Sequence, residues 1–128
     1  MKPLTSEWVD KAEGDFATAA RGIRARRNPN YDAVCFHAQQ CAEKYMKALL
    51  QEANASFGRT HHLVSLLELL VTVAPAWELF RNELQSLNVY SVSIRYPGES
   101  ADRDSAREAL VLAKTIRTEA RRALSLPP

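Results

Sequence analysis

Between positions 30 and 53 the apolar residues fall on two sides of a helix at once, and this constrains the fold more than any other feature. At about 100° per residue, Tyr31, Val34, Ala38, Cys41, Ala42, Tyr45 and Leu49 share one wide face. Phe36, Met46 and Leu50 point to another side. A helix apolar on two sides must sit centrally or bury one side against a partner. This segment is therefore expected to be the structural spine.

Four further segments carry helical spacing, and none carries the alternation of a strand. Over 5–26, Trp8, Ala12, Phe16, Ala19 and Ile23 make one stripe, with Thr5 or Ser6 as the expected cap and Asn28-Pro29-Asn30 as the stop. A short helix is expected over 62–73, with Leu63, Leu66, Leu67 and Leu70 inward, and another from Ala76 to Ser91 through Trp77, Phe80, Leu84 and Leu87. After Tyr96-Pro97-Gly98, the last helix is expected near Ser100, with Ala106, Ala109, Leu110, Ala113, Ile116, Ala120 and Leu124 buried. Short connections between long amphipathic helices predict an all-α, antiparallel up-and-down bundle of four to five helices. One domain spanning 1–128, with its core over about 4–124, is expected.

The net charge of +2 gives little support to a general polyanion binder. No run approaches a bilayer-spanning length, and no secretory leader is evident, so a cytoplasmic location is expected. Cys35 and Cys41, six residues apart on one helix, are separated by roughly 9 Å of rise and face different ways. Two buried thiols are expected, with neither a disulfide nor a metal site.

The most specific string runs from Tyr31 and Asp32 through Phe36, His37, Ala38, Gln39, Gln40, Ala42, Glu43, Lys44 and Lys47 to Leu50. It resembles the signature helix of the HEPN family (higher eukaryotes and prokaryotes nucleotide-binding domain). Phe57-Gly58-Arg59-Thr60-His61-His62-Leu63 resembles that family's loop before the third helix, and Arg95-Tyr96-Pro97 its turn before the last helix. Trp8 also fits. The resemblance implies a helical bundle, often a homodimer. Many members pair with a minimal nucleotidyltransferase, in some cases as toxin and antitoxin. Catalytic members are metal-independent ribonucleases carrying an arginine followed four to six residues later by a histidine. No histidine follows His62 here, so the pattern is missing.

The expected role is a non-catalytic binding and dimerisation module, partnering a minimal nucleotidyltransferase and holding a nucleotide or RNA phosphate without a cofactor. The alternative is a divergent ribonuclease toxin using His37 or His61 as base. His37, Gln40, Lys44, Lys47 and Gln51 share an arc of roughly 80°, which reads either as a phosphate-holding groove or as a solvated face. Arg59, Thr60 and His61 precede a helix start, where they hold an anion or where Thr60 or His61 caps the helix. Arg95 either pairs with a carboxylate such as Glu99 or Glu43 or lines a ligand cleft beside Tyr96. Phe36, Gln39, Glu43, Met46 and Leu50 form the expected dimer or partner face. Arg21, Arg24, Arg26 and Arg27 are expected to join Arg117, Arg121 and Arg122 if the first and last helices are neighbours, either as an RNA-binding patch or as solvated helix ends.

Overall fold

The computed structural model describes residues 1–91 and 97–128, and its described residues are helical without a strand. Five α-helices follow in order: α1 (Pro3–Ile23), α2 (Tyr31–Glu52), α3 (Leu63–Leu70), α4 (Arg81–Asn88) and α5 (Arg103–Ala123). Two 3₁₀ turns, Pro75–Phe80 and Val89–Ser91, flank α4. The fourth expected helix is thus divided. Pro75 at its start begins a tighter turn, and α-helical bonding sets in only at Arg81.

Local chemistry sets most of the ends. Asn30 caps α2 by accepting from the Ala33 N–H, and Asp102 caps α5 by accepting from the Ser105 N–H. Ser100 therefore lies outside α5. Pro3 occupies the first turn of α1, where its missing N–H has no intrahelical use. Thr5 does not cap α1; its hydroxyl donates to Glu52 Oε1 at 2.9 Å. Asn54, at φ 58°, closes α2 in the left-handed conformation, and the Ala55 N–H returns to the Leu50 carbonyl.

The spine is where the sequence put it. Thirteen residues of α2 are buried, from Val34 to Leu50, because α1, α3 and α5 all pack on it. Met46 and Leu50 are wholly inside this chain. So are Leu63, Leu66, Leu67, Leu70, Leu84, Leu87 and Ile116, each contributing about 1.5–3 kcal/mol on leaving water. On α5 the small residues Ala106, Ala109, Ala113 and Ala120 form most of the buried stripe and let its backbone come close, while Leu110 and Leu124 are only partly covered.

On α1 the buried line is Thr5, Val9, Ala12, Asp15 and Ala19. Trp8, Phe16 and Ile23 lean against the core from one side. The start of α1 meets the end of α2, since the Lys2 N–H donates to Glu52. The end of α1 meets the start of α5, where Ile23 and Arg24 line one cleft with Arg103 and Arg107. Both α2 and α5 therefore run against α1 and in the same direction as each other. The loop over 53–62 climbs back beside α2, so α3 starts level with Gln39 and Glu43 rather than at the end of the spine. The Leu63 N–H donates to Asn88 Oδ1 at 2.7 Å, which ties the start of α3 to the end of α4.

Candidate functional site

Two carboxylates collect the polar residues along one edge of α2. The first is Asp15 of α1, which stands at a spacing of three and four from Ala12 and Ala19 and is therefore turned inward with them. It faces two residues of α2. The His37 Nδ1–H donates to Asp15 Oδ1 at 2.7 Å, and Lys44 Nζ reaches Oδ2 at 2.6 Å. The His37 ring also meets Phe36 edge to face, with centroids 5.3 Å apart.

The second carboxylate, Glu43, is 2% exposed and belongs to α2 itself. Its Oε2 takes Lys47 Nζ at 3.1 Å, one helical turn on, and the His61 Nδ1–H at 3.0 Å. Gln40 donates to Oε1 at 3.3 Å and to the Gln39 side-chain oxygen at 2.8 Å. Gln39 donates to the His61 carbonyl at 3.2 Å and ties the climbing loop to the spine. Lys47 is 4% exposed. Its ammonium lies 5.4 Å from the Trp8 ring centre and 5.9 Å from that of Phe57, two rings that meet edge to face at 5.9 Å. A buried ion pair is tolerable when its remaining polar atoms also find partners; here both Glu43 oxygens accept further bonds and the ammonium rests beside the two rings. Gly58, at φ 61°, supplies the left-handed turn that swings the loop from Phe57 to His61.

A third cluster lies on the side shared by α1, α2 and α5. Glu13 accepts two bonds from Arg117, at 2.7 and 2.8 Å, together with the Tyr45 hydroxyl. Arg121 donates to the Tyr45 oxygen at 3.1 Å. The Arg117 guanidinium holds the Glu13 carboxyl below its ordinary value of 4.5, against the opposing effect of burial, and the Tyr45 bond adds to the lowering. Burial and the Glu13 carboxylate push the Tyr45 phenol up. Burial likewise pushes the Cys35 thiol up to about 11 and the Cys41 thiol further still. Both thiols are free and buried, as expected of inert core residues.

Several sequence expectations change. Gln39, Glu43, Met46 and Leu50 cannot form a dimer or partner face, because the chain's own helices and loop cover them. Of that set only Phe36 keeps partial exposure. Lys47 is not an open phosphate ligand, and Lys44 is already engaged by Asp15. The cap of α3 is neither Thr60 nor His61 but His62, whose Nδ1 accepts from the Ser65 N–H at 3.2 Å; the Thr60 hydroxyl accepts from the His62 N–H.

Arg59 is exposed and has no ion pair among the described residues, and the His61 side chain is 71% exposed on its carboxylate anchor. Arg95 and Tyr96 lie outside the described residues. The basic patch is also rearranged. Arg117 and Arg121 turn to Glu13, and Arg122 to Glu119. Arg24 and Arg26 meet Arg103 and Arg107 instead, because α1 and α5 run in opposite directions.

Sequence reasoning missed Asp15, Glu13 and the pair Arg103 and Arg107. For Asp15 a signal existed: a carboxylate at core spacing in an otherwise apolar stripe. The other three stand at surface positions whose neighbours only the packing reveals.

The model of the HEPN domain family matches residues 5–123, and the chain belongs to that family. No curated protein and no solved structure matches it. Among the described residues no helix is long and apolar enough to cross a membrane.

Proposed function

We propose that this chain is a HEPN binding module that holds a phosphate-bearing ligand without cleaving it. In this reading it forms a cytoplasmic homodimer and pairs with a minimal nucleotidyltransferase. The carrying observation is the neutralisation of the α2 edge. Cleaving RNA without a metal needs a base and a cation free to meet charge growing on the phosphorus oxygens. Along α2, Lys44 and Lys47 each face a carboxylate, and His37 is held by Asp15.

The ligand-contacting set is accordingly reduced to Gln40, Arg59, Thr60 and His61, with Arg95 and Tyr96 as further members. Lys44 and Lys47 are withdrawn to a supporting role, as is His37, which Asp15 holds. The dimer is proposed from family membership, on a surface other than the one read from α2. Light scattering at micromolar concentration tests it, and a monomeric mass removes it. Co-purification with a nucleotidyltransferase encoded nearby tests the partner, and separate elution removes that too.

A second reading is favoured by one specific contact. His61, open to solvent and oriented through Nδ1 by Glu43, has the geometry of a carboxylate-anchored general base, with Nε2 left to take a proton. Arg59 stands two residues away. Under this reading the chain is a divergent ribonuclease toxin. Incubating it with RNA in EDTA separates the two. Intact RNA is the expected result, whereas cleavage abolished by His61→Ala or His37→Ala would establish the ribonuclease.

A further inference from the structure

We infer that the cleft where the end of α1 meets the starts of α2 and α5 is a separate binding site for phosphate groups. Its volume is about 690 Å³, within the range of small-ligand sites, about 300–1,000 Å³, and Arg24, Arg26, Tyr31, Arg103 and Arg107 are among the residues that line it. Four arginines line it, Arg24 and Arg26 from the segment that follows α1 and Arg103 and Arg107 from the start of α5, and none has an ion pair among the described residues.

Arg21, Arg27 and Arg59 also lack an ion pair among the described residues, but none of them lines this cleft; the contrast is with four others. Arg81, Arg117, Arg121 and Arg122 each stand against a carboxylate. Near the cleft, Asp32 accepts from the Ala101 N–H at 2.6 Å and Asp102 from the Ser105 N–H at 2.7 Å, and Asp104 and Glu108, next to Arg103 and Arg107 in the chain, make no ion pair among the described residues. Four like charges in one recess repel one another, and a polyanion seated there removes that repulsion. Guanidiniums present paired N–H donors that match phosphate oxygens. Tyr31, partly buried, also lines the cleft and brings an aromatic ring, the kind of group on which bases stack. None of these residues belongs to the α2 edge, so the inference does not rest on the proposed function and survives its failure.

Phosphates reach such a cleft either in a free oligophosphate or along a nucleic acid strand, and two probes distinguish the sources. The full chain is titrated with inorganic tripolyphosphate by calorimetry and with a fluorescein-labelled single-stranded RNA by anisotropy. The variants are Arg103→Ala combined with Arg107→Ala, Tyr31→Leu, and Arg122→Ala as a control for net charge, each checked by thermal melting.

Saturable binding is expected, weakened at least tenfold in the double variant and less than threefold in Arg122→Ala. Tripolyphosphate binding without RNA binding marks the free ligand as the source. RNA binding that falls with salt, at a slope of about −0.7 per phosphate contacted, and that weakens in Tyr31→Leu marks the strand.

The inference is overturned if neither probe saturates by millimolar concentration, or if the double variant binds as the parent does. It is equally overturned if Arg122→Ala loses as much as the double variant. Loss of binding in His61→Ala or Arg59→Ala with the double variant unaffected also overturns it and assigns the ligand to the α2 edge.

Discussion

Lys44 and Lys47 on α2, and Arg24, Arg26, Arg103 and Arg107 at one end of the bundle, look equivalent in the sequence as cations near helix faces or ends. In the fold they are opposites. The lysines are drawn onto Asp15 and Glu43, and one of them is buried beside two aromatic rings. The arginines border an open cleft and have no carboxylate within ion-pair reach among the described residues. A charge already matched inside the fold holds the fold together, and an unmatched one is available to a ligand. The difference is therefore one of stability against binding, and substitutions on the two sides are expected to separate accordingly.

The largest effect is expected at Glu43. Removing its carboxylate in Glu43→Ala leaves the Lys47 ammonium buried and unpaired, which costs about 3–5 kcal/mol, read as a lower midpoint in urea unfolding. A loss below about 1 kcal/mol would mean that Lys47 reaches water and that the α2 edge is as open as the cleft. Asp15→Ala is next, at roughly 1–3 kcal/mol, the cost of unbonding charged partners in a partly buried setting. The same urea experiment measures it.

Gly22→Ala tests whether the close approach of α1 to α2 beside the cleft shapes it. A Cβ there stands 2.7 Å from Val34 Cγ2, on a stiff, buried side chain. Overpacking costs about 1–3 kcal/mol and helix propensity returns up to about 1 kcal/mol. A net loss on the order of 1 kcal/mol is expected, with the last turn of α1 displaced from α2 and phosphate binding weakened. Unchanged stability and binding would show that this approach of α1 to α2 does not shape the cleft.

At the Glu13 cluster the expectation concerns pH. Its carboxyl is held below 4.5 in the folded chain, so its contribution is full above that value and disappears as pH falls through the lowered one. Melting temperatures taken downward from about pH 5 should drop more steeply for the parent chain than for Glu13→Gln. Equal slopes would place the acid sensitivity elsewhere. The smallest effect is expected at the cleft: Arg103→Ala with Arg107→Ala changes stability by no more than about 0.5 kcal/mol. A large loss would mean that these arginines are structural after all.

Much of the fold was legible in the sequence because helical periodicity is a local property. The doubly apolar segment from Tyr31 to Leu50 is the spine, and the leucines of α3 and α4 and the alanines of α5 turn inward as their spacing requires. The caps were less legible, since His62 and Asp102 compete with equally suitable neighbours and the winner depends on where the chain leaves the core. The proposed edge was legible as a set of residues but not as a charge state, because the carboxylate of Asp15 comes from another helix.

The amino-acid order alone determined an all-helical bundle built on α2, and its motifs pointed to the HEPN family that the family match then established. Tertiary structure decided which charges meet. The direction of α5 against α1 sends Arg117 and Arg121 to Glu13 and brings Arg103 and Arg107 to Arg24 and Arg26. Hydrophobic periodicity is written residue by residue along one helix. Electrostatic pairing falls off over a few ångströms between helices distant in the chain, so it exists only once they have packed.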